Sequence, residues 1–321
     1  MIDSNTRSAA VVAKSPARII WFGNEHLGSG LESVEPVILR ALIDARYQIA
    51  AVVIQDRGGE SVQSAGTKAL ARQHDIPVFD PDRVGDIVED LKELRPTLGV
   101  LVAYGQMVPA AILELFPRGI INIHPSLLPQ YRGSTPIEQT LLDGVDQTGV
   151  SLMQLEAQMD AGPVFDQAPL PLTGHETKTS LAATLQQLGA EILLKNIDGI
   201  LAETADARPQ DEDQATYCKL LTKADGQINF GQAADVIERQ IRALNPWPGI
   251  YFDLDGERIM ILEAAISEAK DLAAGQLYRD GKNLLLGTAD GALILTKLKI
   301  AGKKTISGVD YINTHASLET V

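Results

Sequence analysis

At 321 residues the chain exceeds the usual size of one domain, so two units, each with its own core, are expected. A formal net charge of -14, from 42 acidic and 28 basic residues, argues against nucleic-acid binding through overall charge and leaves only local basic patches. Cys218 is the only cysteine, which excludes an internal disulfide framework and a Cys-based zinc site and fits a reducing cytoplasm. No apolar run reaches the length that spans a bilayer. Residues 1–17 are small and polar and lack a hydrophobic centre, so a flexible tail is expected there.

Hydrophobic periodicity predicts strand 18–22, helix 34–45, strand 49–54, helix 67–74, a short extended stretch 77–79, helix 83–94, strand 98–102, helix 109–115 and a strand at 119–123. This alternation implies an α/β unit, a Rossmann-like doubly wound and mostly parallel sheet. The turn from Gly23 to Gly30 is glycine-rich, but its glycines miss the G-x-G-x-x-G register, so a dinucleotide site is not expected. His26 within it reads as a surface loop residue.

The run 121–136, INIHPSLLPQYRGSTP, carries the clearest chemistry. In an extended backbone residues two apart share a face, so Asn122 and His124 point the same way. Pro125 biases His124 away from helical geometry, and Pro129 with Gly133–Pro136 marks a constrained loop before a helix at 137–142. An amide and an imidazole therefore stand at a strand's carboxyl end, where open α/β sheets place ligands. Downstream, an alternating strand from Gly149 leads to Asp160-Ala161-Gly162-Pro163, a carboxylate on a turn whose backbone is fixed by glycine and proline.

Helix 177–200 is expected to close a catalytic domain over 18–205, followed by a polar linker at 206–214 and a second domain over 215–321. The second domain reads as helix 231–243 and strands 250–254, 258–267, 283–287 and 292–300. Hairpin turns are expected at Asp255-Gly256, Asp280-Gly281 and Asp290-Gly291, and together they describe a small barrel.

The Asn122-x-His124 strand end, the Ser126-Leu127-Leu128-Pro129 loop and the later Asp160, in that order, resemble the tetrahydrofolate-dependent formyltransferases. Phe22-Gly23, Ala103-Tyr104-Gly105, Thr148–Ser151 and Arg242–Pro248 are similar to the branch that acts on methionyl-tRNA, and the resemblance runs from about residue 18 to about residue 312. It implies catalytic roles for Asn122, His124 and Asp160, and 10-formyltetrahydrofolate as formyl donor, with no metal. Tyr104, Gly105, Ser126, Leu127, Leu128 and Pro129 would border the folate. Leu127 and Leu128 serve equally as apolar pins of their loop to the core.

The resemblance further implies initiator methionyl-tRNA as acceptor, a C-terminal OB-like barrel that contacts it, and a monomeric bacterial cytoplasmic enzyme acting away from membranes. Basic candidates for the tRNA face are Lys219, Lys223, Arg242, Lys303 and Lys304. One departure stands out. The family's Arg- and Lys-rich insertion after the second strand is short and nearly uncharged here, over 55–68, and Arg57 is its one candidate for the acceptor stem. This keeps an amino-sugar nucleotide open as the alternative acceptor. A non-catalytic RNA binder has no need to keep an Asn, a His and an Asp in mutually consistent contexts.

Overall fold

The computed structural model describes residues 17–31, 35–56, 63–315 and 318–320. The expected tail, apart from Ala17, and Arg57 lie outside them.

The first unit runs β1 (Arg18–Gly23), α1 (Val37–Asp44), β2 (Gln48–Val53), α2 (Ala65–Gln73), β3 (Val78–Phe79), α3 (Val88–Glu93), β4 (Leu98–Val102), α4 (Ala110–Leu113) and β5 (Ile120–His124). It continues through β6 (Arg132–Gly133), α5 (Pro136–Asp143), β7 (Gln147–Gln154), β8 (Val164–Pro171) and α6 (Lys178–Leu201). Seven strands form one sheet in the order β3-β2-β1-β4-β5-β7-β8. Pairings from β3 to β5 are parallel, and those of β7 with β5 and with β8 are antiparallel. The central strands are apolar on both faces because helices cover both, and β4 and β5 are buried at every position. Close packing at their seam requires Gly99, where a Cβ would come within 2.7 Å of Ile120 Cγ1.

Helix α6 is fixed at its start by a capping box in which the Thr177 hydroxyl accepts from the Ser180 N–H. Helix α1 is capped from outside. Glu25, fully buried in the glycine-rich turn, accepts the Ile38 and Leu39 N–H groups at 2.9 and 2.8 Å and a third bond from Gln186. A carboxylate is favoured at a helix N-terminus, yet burial dominates and pushes the Glu25 carboxyl up to about 7.

Beyond α6 come β9 (Tyr217–Cys218), α7 (Ala234–Leu244), β10 (Ile250–Leu254), β11 (Glu257–Ser267), β12 (Leu277–Asp280), β13 (Asn283–Gly287), β14 (Ala292–Ile300), β15 (Thr305–Ser307), α8 (Gly308–Thr314) and β16 (Glu319–Thr320). The second sheet has the order β10-β11-β14-β13-β12-β16, with β15 beside β14. Its long strands pair antiparallel, and only β12 with β16 is parallel. Helix α8 packs on β13 and β14, while α7 packs on β11 and on α5 of the first unit.

A joint behind the sheet locks the two units. A Cβ on Gly30 would meet Trp247 Cβ at 2.2 Å, so the glycine-rich turn lies directly under that tryptophan. Lys178 Nζ donates to the Trp247 carbonyl at 2.6 Å and lies 3.7 Å from Glu138 Oε1, which also accepts from the Ser29 N–H and hydroxyl. Burial pushes the Lys178 amine down to about 8, against the pull of Glu138. The segment read as a polar linker is fastened too, since Arg208 exchanges both backbone bonds with Val164 at 2.8 Å.

Candidate active site

Strand β5 ends at His124 and pairs with β4 on one side and β7 on the other, so Asn122 stands opposite Leu101 and Met153, and His124 opposite Ser151. Both side chains are buried. Asp160 arrives on the turn after β7. Asn122 Nδ2 donates to Asp160 Oδ1 at 3.3 Å, and Asp160 Oδ2 lies 3.8 Å from His124 Nδ1. The three residues picked out by the sequence thus meet at one point.

The second ring nitrogen, Nε2, is 2.9 Å from the Tyr131 carbonyl. A carbonyl oxygen only accepts, so Nε2 carries a proton and Nδ1 is the nitrogen that faces Asp160. Asp160 sits at φ 49°, a left-handed conformation that non-glycine residues rarely adopt and that costs about 1 to 2 kcal/mol. The turn behind it is tight, because a Cβ on Gly162 would come within 2.0 Å of the Gln154 carbonyl. On the other side the Gly133 N–H donates to Asp160 Oδ2 at 2.8 Å.

The Ser126–Pro129 loop is held by hydrogen bonds as well as packing. Ser151 Oγ donates to Ser126 O at 2.7 Å and accepts from Leu128 N at 2.9 Å. Ser126 Oγ donates to Gln130 O, and Gln167 Nε2 reaches both Leu128 O and Ser151 Oγ at 2.8 Å. Leu128 is buried with its N–H on Ser151, and Leu127 packs against the Gly149 backbone, so the loop is tied to β7 at both positions. Pro129 is half-buried and its carbonyl accepts from Thr216 N.

Tyr104 and Gly105 follow β4, next to the end of β5, with Gly105 at φ 80° alongside Gln55. Tyr104 is buried edge-on against Phe22, and its hydroxyl has no hydrogen-bond partner among the described residues. Burial, with the charge of Asp80, pushes this phenol above its ordinary range. Burial and nearby carboxylates push the Cys218 thiol up to about 12, which disfavours its thiolate.

Sequence reasoning missed the residues that hold this cluster from behind. Arg132 is fully buried, its guanidinium bound to Gln210 Oε1, Glu212 and the Tyr217 hydroxyl. Gln210 Nε2 in turn donates to the carbonyls of Asp160 and Gly162. The one available signal was the Arg132-Gly133 pair inside the loop, since an arginine among apolar and small residues needs buried partners.

The basic candidates are scattered. Lys219 pairs with Asp225 at 2.6 Å and Lys303 with Glu257 at 2.7 Å, both exposed; Lys223 and Lys304 are exposed. Arg242 departs from the expectation. It is largely buried, binding Glu238 and the Glu176 carbonyl, and so ties α7 to the start of α6 instead of facing a phosphate. A cavity of about 1270 Å³ opens between the units, lined by Glu25, Gln186, Arg242 and Lys297 among others; it does not touch Asn122, His124 or Asp160. Among the described residues no group of histidine, cysteine and carboxylate side chains is placed to hold a metal.

Residues 46–197 match the formyl transferase family and residues 220–316 match the formyl transferase C-terminal domain. The chain belongs to the formyl transferase family. It is 38% identical over 293 residues to the methionyl-tRNA formyltransferase of Roseiflexus castenholzii, covering 89% of this chain and 93% of that one. It is 37% identical over 306 residues to the methionyl-tRNA formyltransferase of Pseudomonas fluorescens, covering 93% of each. Among solved structures, an N-formyltransferase from Helicobacter canadensis in complex with folinic acid and dTDP-3-aminofucose superposes with a TM-score of 0.67 at 20% identity, over 87% of this chain and 98% of that one. That last likeness concerns the fold alone. This formyltransferase has no helix among its described residues long and apolar enough to cross a membrane.

Proposed function

We propose that this formyltransferase moves the formyl group of 10-formyltetrahydrofolate to the amino group of initiator methionyl-tRNA, as a monomer in the bacterial cytoplasm. The observation that carries the reading is similarity at 37–38% identity, through both units, to bacterial enzymes named for that reaction. An acceptor reading built on the catalytic unit alone leaves the second sheet unexplained.

The geometry supplies a mechanism. The amine nitrogen attacks the formyl carbon, the carbonyl oxygen gains negative charge, and the amine nitrogen loses a proton. The tetrahedral centre then collapses by breaking the bond from the formyl carbon to N10, which leaves as tetrahydrofolate after taking up a proton. Asn122 Nδ2 and, once protonated, His124 Nδ1 are the donors to the oxyanion, both beside Asp160. Tyr131 O holds the imidazole through Nε2 so that Nδ1 faces the reaction. Asp160 accepts the amine proton directly or through one water, a role suited to a carboxylate that is only partly buried. The folate would lie along the ends of β4 and β5, bordered by Tyr104, Gly105 and the Ser126–Pro129 loop. The unpartnered Tyr104 hydroxyl supports a ligand there. Lys219, Lys223, Lys303 and Lys304 are the proposed tRNA contacts, with Arg57 at the acceptor stem.

The test is transfer of labelled formyl from 10-formyltetrahydrofolate to charged initiator methionyl-tRNA, run beside elongator methionyl-tRNA and an amino-sugar nucleotide. Selective labelling of the initiator is expected. Labelling of the sugar alone would keep the chemistry and overturn the acceptor.

A further inference from the structure

Asp160 reaches its site on a left-handed backbone turn, at φ 49°, and two of that turn's carbonyls converge on one donor. Gln210 Nε2 lies 2.8 Å from Asp160 O and 2.7 Å from Gly162 O, so both amide hydrogens are used on the turn. The amide cannot be reversed, because Oε1 accepts from Arg132 Nε and Nη2 at 3.0 and 2.9 Å. Arg132 cannot swing away either. Glu212 takes its two terminal nitrogens at 2.9 and 2.7 Å, and the Tyr217 hydroxyl takes a further bond at 3.0 Å.

The arginine's own chain neighbours address the same site. Tyr131 presents its carbonyl to His124, and Gly133 presents its N–H to Asp160 Oδ2. Arg132 and Gly133 pair in parallel with Tyr217 and Cys218, just beyond the segment that carries Gln210. One stretch, 208–218, therefore braces the carboxylate from its backbone side and the imidazole through the strand it pairs with.

We infer that Gln210 is a positioning residue for formyl transfer, acting through Asp160, and that the Arg132 guanidinium sets its amide so that the connection between the units aims the catalytic carboxylate. The inference rests on the family's chemistry, and it holds whichever amine is the acceptor. Reacting groups must be held to within a fraction of an ångström, and a displacement of about 1 Å costs on the order of 100-fold in rate. The competing account is that Gln210 only fastens the 208–218 segment to Arg132.

Gln210→Glu separates the two. A glutamate keeps the side-chain length and pairs with Arg132 more strongly than an amide does, but it has no hydrogen to offer the carbonyls of Asp160 and Gly162 and repels both. The expected result is a kcat lower by about 10- to 100-fold, with KM for 10-formyltetrahydrofolate and for the acceptor within about twofold of wild type. Circular dichroism should show the native fold. Gln210→Ala, which loses both sides of the amide, should show the same kcat loss together with a lower thermal midpoint. A Gln210→Glu enzyme with wild-type kcat, or one whose loss lies in KM, overturns the inference. If the wild type labels an amino-sugar nucleotide and not methionyl-tRNA, the acceptor reading has failed, and the same split is then measured on the sugar.

Discussion

Glu138 and Lys178 lie 3.7 Å apart with side chains 1% and 0% exposed, whereas Asp160 and His124 lie 3.8 Å apart with side chains 13% and 5% exposed. Distance barely distinguishes the pairs, yet one ties two units together and the other is the proposed meeting point with substrate. Their surroundings make the difference. The Glu138–Lys178 pair is enclosed by the glycine-rich turn, α5, α6 and the Trp247 carbonyl, with the amine donating into main chain. Asp160 and His124 stand at a strand's carboxyl end, with the carboxylate on a strained backbone and part of it open. A close pairing of a carboxylate with a nitrogen group is thus a poor marker of chemistry until its placement at a strand end is added.

The comparison breaks first if the open pair proves dispensable. Asp160→Asn or His124→Ala should lower kcat by about 1000-fold with the thermal midpoint little changed. Retained turnover in both purified variants would reduce this pair to the same structural status as the other. Next, Lys178→Ala should leave kcat within about threefold but cost about 3 kcal/mol in urea unfolding, since it strands a buried carboxylate. An unchanged midpoint would show that the joint contributes nothing; a lost kcat would mean that the joint and the site are one system.

The smallest effect is a pH dependence set mainly by Glu25, which lies outside both pairs. Glu25 has its folded value near 7, raised from 4.5, so its contribution to stability is complete below about pH 4.5 and is lost as pH rises through about 7. Lys178 has the opposite sense. Lowered from 10.5 to about 8, it contributes above about pH 10.5 and loses that contribution as pH falls through about 8. Between pH 4.5 and 7 the unfolding free energy should fall by about 2 kcal/mol on account of Glu25, and Glu25→Gln should flatten that slope. A slope that survives in Glu25→Gln would assign the titration elsewhere.

The doubly wound sheet was legible because its central strands are mostly apolar on both faces and its helices alternate with them, a pattern that tolerates few other arrangements. Asn122, His124 and Asp160 were legible because proline and glycine punctuate them. Strand β8, between Val164 and Pro171, was not predicted: two prolines and alternating half-buried positions hide it. Gln210 and Arg132 were invisible for a different reason. Their partners lie 78 residues apart along the chain, and nothing local in a polar stretch near 210 distinguishes a solvated glutamine from one that bridges two carbonyls. Glu25 was hidden in the same way, since a carboxylate in a glycine-rich turn reads as surface until the helix it caps is in place. His26 beside it is half-buried instead of lying on the surface, and burial lowers its imidazole pKa.

The parallel pairing of Arg132–Gly133 with Tyr217–Cys218 bears on how the two halves of such an enzyme can be exchanged. A chimera joined at residue 205, where composition turns polar, would carry a foreign segment across the back of the catalytic turn and leave Arg132 without Glu212 and Tyr217. A graft made after residue 218 would keep those partners with the half that needs them, so new acceptor specificity is best built from the residues that follow.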